Sequence, residues 1–468
     1  MGKKKKTNQI IENLNILGAG SEGVCIGRYE DRVVFVNNVV PGDVADVEVY
    51  KKRHSYYLAR PLTIKQYSEK RETPRCEHFG ICGGCKWQNM QYQYQLYYKQ
   101  KQVYDNFIRI GKFRFPDINP ILASDKIFAY RNKVEYTFAD RRWLTKEELE
   151  TADMNNISGV GFHLPSVFDK VLDIHYCHLH DQTGNEIRDS IKKYALEHGF
   201  DFYNARSHEG LLRNIIIRNS VCGDLMVIMV FGRQDENIVP IMEYLHTTFP
   251  QISTLSYVVN EKMNDNIADL QVHTFFGRGY MIEQMENLQF KVSPQAFYQT
   301  NAEQALKLYQ TALRMADIKS SDVVYDLYTG TGTIALFMAR TAKKVVAVEY
   351  VESAVADAKE NAIMNNIQNA DFFAGDMKDV LNEDFVSSHG HPDVIVTDPP
   401  RAGMHPDVVN TILQIRPKRI VYVSCNPATQ ARDIALMMPW YKVMEIQPVD
   451  MFPHTHHVEN VTKLELNQ

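Results

Sequence analysis

The chain has 468 residues, 44% apolar and 23% charged, with a formal charge of −5, enough material for two to four packed domains rather than a disordered or fibrous chain. No stretch approaches the ~18 uninterrupted apolar residues of a membrane span, and Met1-Gly-Lys-Lys-Lys-Lys6 lacks the apolar core of a signal peptide, so a cytoplasmic protein without membrane attachment is expected. The charge is divided: 23 Lys plus Arg against 15 Asp plus Glu through Asp140 give +8, leaving −13 for the rest, a division that suits a front part approaching a polyanion such as RNA and equally a solvated surface behind a Lys tail.

Taken in chain order, residues 8–64 carry short β-type runs (Val33–Val36, Val44–Val49) broken by turns such as Pro41-Gly42-Asp43, the spacing of a small β-barrel within a first domain at 1–66 that includes the basic tail. Near its end Lys51-Lys-Arg-His-Ser-Tyr-Tyr57 interleaves cations and rings, able to meet phosphates and bases. The seven cysteines stand at positions 25, 76, 82, 85, 177, 222 and 425; the odd number, the lack of a secretion signal and the tight cluster Cys76, Cys82 and Cys85 argue for reduced thiols with metal or catalytic work rather than disulfides. The glycines of Cys82-Gly-Gly-Cys85 let thiolates converge, and the spacing serves zinc or an iron-sulfur cluster alike. A polar and aromatic helical stretch links modules over 91–125, and from Phe128 strands such as Leu212–Ile217 and Leu225–Phe231 alternate with a helix around Asn185–His198 and a polar insertion at 141–158. This predicts a central α+β domain at 67–284.

From 285 to 468 the pattern becomes strand, glycine turn, helix, repeated, which predicts an α/β, doubly wound Rossmann-like domain. Val323-Val-Tyr-Asp-Leu-Tyr-Thr-Gly-Thr-Gly332 turns into the helix Thr333–Arg340, and the next strand ends at Glu349, 19 residues after Gly330, where a carboxylate meets ribose hydroxyls. A dinucleotide turn needs a third glycine, and Thr-Ile-Ala follows Gly332 instead, which favours a nucleoside cofactor such as S-adenosylmethionine. Phe372-Phe-Ala-Gly-Asp376 ends a further strand on a carboxylate that suits the adenine, or a helix N-cap. The strand Arg419–Val423 delivers Cys425 to the ligand edge of the sheet, ahead of a helix start suited to stabilising a thiolate.

Ser424-Cys-Asn-Pro-Ala-Thr-Gln-Ala-Arg-Asp433, Asp398-Pro-Pro-Arg-Ala-Gly403, Ser293-Pro-Gln-Ala-Phe-Tyr-Gln-Thr-Asn301 and Met451-Phe-Pro-His-Thr-His-His-Val-Glu459 together resemble the RNA 5-methyluridine methyltransferase family, across nearly the whole chain. The front resembles the family's 23S ribosomal RNA branch, with a TRAM barrel and the pattern Cys76-x5-Cys82-Gly-Gly-Cys85; the transfer RNA branch usually lacks both. The resemblance implies Cys425 as nucleophile and Glu459 as base. It implies cofactor contacts from Gln299, Tyr328, Glu349 and Asp376, with Asp398 between cofactor and target base. It also implies a [4Fe-4S] cluster on Cys76, Cys82, Cys85 and Cys177. Thiolate addition at carbon 6 of uracil makes carbon 5 nucleophilic, and a base must then remove the carbon 5 proton so that the thiol leaves. Gln430 departs from the leucine common at its position, and Thr329 from a common cysteine. His454, His456 and His457 read as local hydrogen bonding, with metal binding as the other reading. Arg131-Asn-Lys133 and the barrel are candidate RNA contacts, and no obligate protein partner is implied. Two other classes compete: an amino-group methyltransferase, in which an aromatic would stand where Arg401 does and Cys425 would be idle, and a non-catalytic RNA-binding iron-sulfur protein, which leaves the back half without a purpose.

Overall fold

The computed structural model describes residues 9–151, 157–165 and 167–467; the Lys run at the start and part of the 141–158 insertion lie outside the described residues. Gln9–Ala19, Cys25–Tyr29, Arg32–Val36, Tyr56–Gln66 and Val44–Lys52 close, in that spatial order, into a five-stranded OB-like barrel. Alternation along the strands turns Ile11, Leu14, Val34, Val36, Val47 and Ala59 inward. A small second core of Val40, Trp87, Met90 and Tyr98 seats the barrel on the segment that follows the cysteine loop, and the Trp87 indole donates to the Gly23 carbonyl at 3.1 Å.

The middle sheet has seven strands in the order His273–Gly277, Thr254–Val259, Leu225–Phe231, Leu212–Asn219, Lys133–Ala139, Gly159–Leu164, Val167–Asp173. Helices Gln182–Glu197 and Ile238–Thr248 cover one face through Ile187, Ile191, Ile241 and Leu245. The other face puts Ile216, Met226, Ile228 and Val230 into one core with residues of the last domain. Burial on both faces is why Leu225–Phe231 is an unbroken apolar run rather than an alternating one.

The last sheet runs Ala370–Ala374, Lys344–Glu349, Val323–Leu327, Val394–Thr397, Arg419–Ser424, Glu459–Leu466, Tyr441–Val449, with the first five parallel and the final pair antiparallel. The strand order reverses at Val323–Leu327, which opens a crevice at the carboxyl ends of the strands. The hairpin Met281–Met285 and Leu288–Val292 crosses position 284, where a boundary was expected from sequence. The linking helix Tyr92–Asn106 and the turn after it place Val103 and Phe107 in one core with Tyr325, Leu327 and Ile434 of this sheet and its helices. No helix among the described residues is long and apolar enough to cross a membrane.

Candidate active site

Register assembles the site. Leu327 pairs with Val348 on one side and Thr397 on the other, so the next residues, Tyr328, Glu349 and Asp398, emerge side by side at the sheet edge. On the antiparallel side Ser424 pairs with Asn460, so one step past the ladder sets Cys425 opposite Glu459. The two residues are 34 apart in sequence, and only the pairing of their strands joins them.

The glycine turn is shaped by Glu349, which accepts the Gly330 N–H at 2.9 Å on one oxygen and the Val351 N–H at 3.0 Å on the other. Gly330 has φ 58° and Gly332 φ 82°, and a Cβ on Gly332 would sit 3.0 Å from Ala358 and Phe372, so the turn requires glycine there. Tyr328 is held in the left-handed region at φ 66°, a conformation costly for a bulky residue and found where a site demands it. Asp376 and Glu349 both act on the Tyr328 phenol, whose pKa burial raises first and foremost, to about 12. Asp376 caps the short helix Met377–Val380, accepting the Lys378 N–H at 3.2 Å. The Gln299 segment is gripped by the middle domain: Asn132 donates to the Gln299 carbonyl at 3.2 Å, and buried Arg218 reaches the carbonyls of Ser293, Pro294 and Ala296.

Burial pushes the Asp398 carboxyl up to about 7; burial and then the nearby Asp398 charge push Glu459 up to about 8, with Arg401 opposing. Cys425 is pushed up to about 11, chiefly by burial and then by Glu459 and Asp398, while Arg401 draws it down. The expected support of the thiolate by the helix Pro427–Met437 meets a competitor, since the Asn426 side chain takes the Ala428 N–H at 3.1 Å and caps that helix itself. Arg401 is therefore a site residue that the sequence marked only as a departure from an aromatic. Buried Tyr309, whose phenol feels the charges of Asp398 and Glu459, was missed because a tyrosine on an amphipathic helix reads as core. Gln430 is fully buried and ties the nucleophile's strand to the base's strand, donating to the carbonyls of Tyr422 and Asn460 at 2.9 and 3.1 Å. The local hydrogen bonding expected of His454 is not what the structure shows: its backbone N–H is given to the Gln95 side chain at 2.8 Å, and its ring Nδ1 lies 3.2 Å from the Gln95 amide, both across 359 residues of sequence.

Cys76, Cys82, Cys85 and Cys177 line one cavity of 460 Å³ between the cysteine loop and the middle sheet. Gln88 fixes the loop at both ends, accepting the Cys76 N–H at 3.1 Å and donating to the Cys85 sulfur at 3.1 Å, and Asn185 fixes Cys177 by accepting its N–H at 2.8 Å. Among the described residues, Glu77, His78 and His175 are the only group that brings three ligand atoms within 4.8 Å of one another.

Residues 271–466 match the family model for tRNA (uracil-5-)-methyltransferase. The chain is 52% identical over 95% of its length to an uncharacterized RNA methyltransferase of Bacteroides thetaiotaomicron, 99% of which is covered. It is 47% identical over 97% of its length to an uncharacterized RNA methyltransferase of Porphyromonas gingivalis, all of which is covered. Among solved structures, the tRNA (uracil-54, C5)-methyltransferase of Pyrococcus abyssi in complex with S-adenosyl-L-homocysteine superposes with a TM-score of 0.75 at 26% identity, covering 96% of this chain and 100% of its own.

Proposed function

Because the chain belongs to the S-adenosylmethionine-dependent RNA (uracil-5-)-methyltransferase family, we propose that it methylates carbon 5 of a uridine in 23S ribosomal RNA through a covalent adduct on Cys425. The observation that carries this reading is the register that sets Cys425 opposite Glu459, with Asp398 beside them. The Cys425 sulfur adds to carbon 6 of an unstacked uracil, and the electron pair moves to carbon 5, which would take the methyl group from the sulfonium of S-adenosylmethionine, the S–CH3 bond breaking to leave S-adenosyl-L-homocysteine. Glu459 then removes the carbon 5 proton, and the carbon 6–sulfur bond breaks to release product. Arg401 favours the attacking thiolate, and the high proton affinity of Glu459 matches a base working near neutral pH. Gln299, Tyr328, Glu349, Asp376 and Asp398 would hold S-adenosylmethionine, which supplies the electrophilic methyl group. The local geometry fits that role best at Glu349, the Gly330 turn and Tyr328. Asp376 serves as a helix cap in addition.

The four-cysteine cavity is read as the seat of a [4Fe-4S] cluster, held by Cys76, Cys82, Cys85 and Cys177. What supports a shared site is that all four cysteines line one cavity; the preference for a multi-atom cluster over a single zinc ion rests on the family resemblance. Methyl transfer requires no electron, so the cluster's part is read as structural or RNA-positioning. Anaerobically purified protein is expected to carry about four iron and four sulfide, and stoichiometric zinc in a colourless protein would overturn the assignment.

The barrel, read as a TRAM domain, and the cysteine pattern weigh toward ribosomal RNA. Transfer RNA is the second reading, favoured because the superposed archaeal enzyme acts on tRNA and covers 96% of this chain, the barrel region with it. Mapping 5-methyluridine in ribosomal and transfer RNA from a deletion strain decides: loss from 23S RNA supports the first reading, loss from transfer RNA alone replaces it, and no loss from either refutes both.

A further inference from the structure

Between the paired residues Val449 and Glu459 the chain leaves the sheet and returns to it, so the segment 450–458 sets where the base re-enters. A connection of this length has no ladder of its own, and its fixings come from elsewhere in the molecule. The linking helix Tyr92–Asn106 supplies several of them. Lys99 Nζ donates to the Asp450 carboxylate at 2.5 Å and to the Phe452 carbonyl at 2.9 Å, and the Tyr92 hydroxyl donates to the other Asp450 oxygen at 2.8 Å. One turn away Gln95 accepts the His454 N–H at 2.8 Å, while the Lys86 and Trp87 N–H groups, directly after Cys85, donate to the His454 carbonyl at 2.8 and 3.0 Å. His454 itself is held left-handed at φ 64°, and the Tyr130 hydroxyl donates to the Pro453 carbonyl at 3.0 Å.

Lys99 and Asp450 both have wholly buried side chains. A buried ion pair is a poor source of stability, since apolar residues of the same volume often serve as well or better; what it supplies is a single geometry. Gln95 is likewise fully buried, and all of its side-chain bonds go to this segment or to Trp87 and Met90. The geometry fixed here is the approach of the chain to Glu459.

We infer that Lys99, seconded by Gln95, is a positioning residue for the base, acting on proton removal from the adduct and not on cofactor binding; the inference rests on the reading of Glu459 as that base. It places a determinant of the last chemical step on a helix outside the strand, turn and helix repeats of the methyltransferase sheet.

The experiment compares wild type, Glu459→Gln, Lys99→Met with Asp450→Asn, and Gln95→Leu. The double substitution removes both charges together, because Lys99→Met alone would leave a buried carboxylate uncompensated. Each protein is checked for its melting temperature and for S-adenosyl-L-homocysteine binding, then given substrate RNA with labelled S-adenosylmethionine in a single turnover. Folded double variant and Gln95→Leu are expected to bind the cofactor product as wild type does, to transfer the methyl group, and to release product more slowly by roughly ten- to a hundredfold, the scale set by displacing a catalytic group by about 1 Å. Methylated RNA-protein adduct then accumulates on denaturing gels. Release at the wild-type rate from folded variants overturns the inference, as does a fall of methyl transfer and release together in step with the folded fraction, without adduct. If the double variant does not fold, Gln95→Leu decides alone. Absence of adduct from Glu459→Gln overturns the base reading instead.

Discussion

At the scale of single residues the site holds two buried carboxyls and a thiol whose charges oppose one another. Asp398 ionises first, and its charge then resists ionisation of Glu459, whose carboxyl is pushed up to about 8. Below that value Glu459 carries a proton and is unable to accept another, so release of the adduct is expected to slow as the pH falls from 8.5 to 6.5, with wild type itself accumulating adduct at the acid end. A release rate that is flat across this range counts against Glu459. The same raised values cost stability: the folded state holds these protons more tightly than the unfolded chain, so both groups favour folding at low pH and lose that contribution as the pH rises through about 7 and about 8. Glu459→Gln is therefore expected to melt higher than wild type at pH 8.5, with a smaller difference at pH 5. Cys425→Ala should abolish methylation while leaving S-adenosyl-L-homocysteine binding within a few fold, because the thiol activates uracil and is not needed to hold the cofactor. Arg401 opposes the rise in the Cys425 pKa, so Arg401→Gln should shift the pH midpoint for alkylation of Cys425 by iodoacetamide upward.

At the scale of elements, what the sequence revealed and what it hid divide along local and non-local order. The parallel strands are buried on both faces, so Val323–Leu327, Val394–Thr397 and Arg419–Ser424 read directly as largely apolar runs, with Asp398 and Cys425 just beyond the last two. Glycines at positive φ marked the turn for the same local reason. The place of Glu459 was legible only through family resemblance, because the pairing of Ser424 with Asn460 joins strands whose sequences do not announce each other. The linking helix hid its purpose as well: the sequence marks it only as a polar and aromatic stretch, and the tertiary structure buries its Lys99 and Gln95 against segment 450–458. Asp376 shows the opposite case, a strand-end acid whose local duty as a helix cap is met without any ligand. Glu349 and Asp376 therefore predict different outcomes. Glu349→Ala removes acceptors from two backbone N–H groups and frees the Gly330 turn, and at about 1.5–3 kcal/mol for a charged hydrogen bond this weakens S-adenosyl-L-homocysteine binding roughly ten- to a hundredfold. Asp376→Ala should change it far less, and calorimetric titration of both variants compares them directly.

At the scale of the whole molecule, three modules meet around one sheet edge. The barrel is locked to the cysteine loop through Trp87, that loop bonds the segment leading to Glu459, and the middle sheet grips the segment carrying Gln299. An RNA held by the front of the chain is thereby referred to the same frame as the nucleophile. The front carries +8 and the rest −13, so a polyanion would be drawn to the front. Within the described barrel, Lys51, Lys52 and Arg53 form an exposed cationic run at the end of strand Val44–Lys52, with Lys52 5.7 Å from the centre of the Tyr57 ring. Being exposed and outside the barrel core, these side chains should be removable without unfolding it. Each cation that neutralises a phosphate releases counterions, steepening the fall of log K with log salt by about 0.7 to 0.9. Replacing all three by alanine is therefore expected to weaken RNA binding at 50 mM salt and to flatten the salt slope by roughly 2 to 3, while S-adenosyl-L-homocysteine binding stays as in wild type. Fluorescence anisotropy of labelled RNA across a salt series measures both quantities. A weaker affinity with an unchanged slope would mean that the run shapes the barrel without touching phosphate, and an unchanged affinity would return it to ordinary solvated surface.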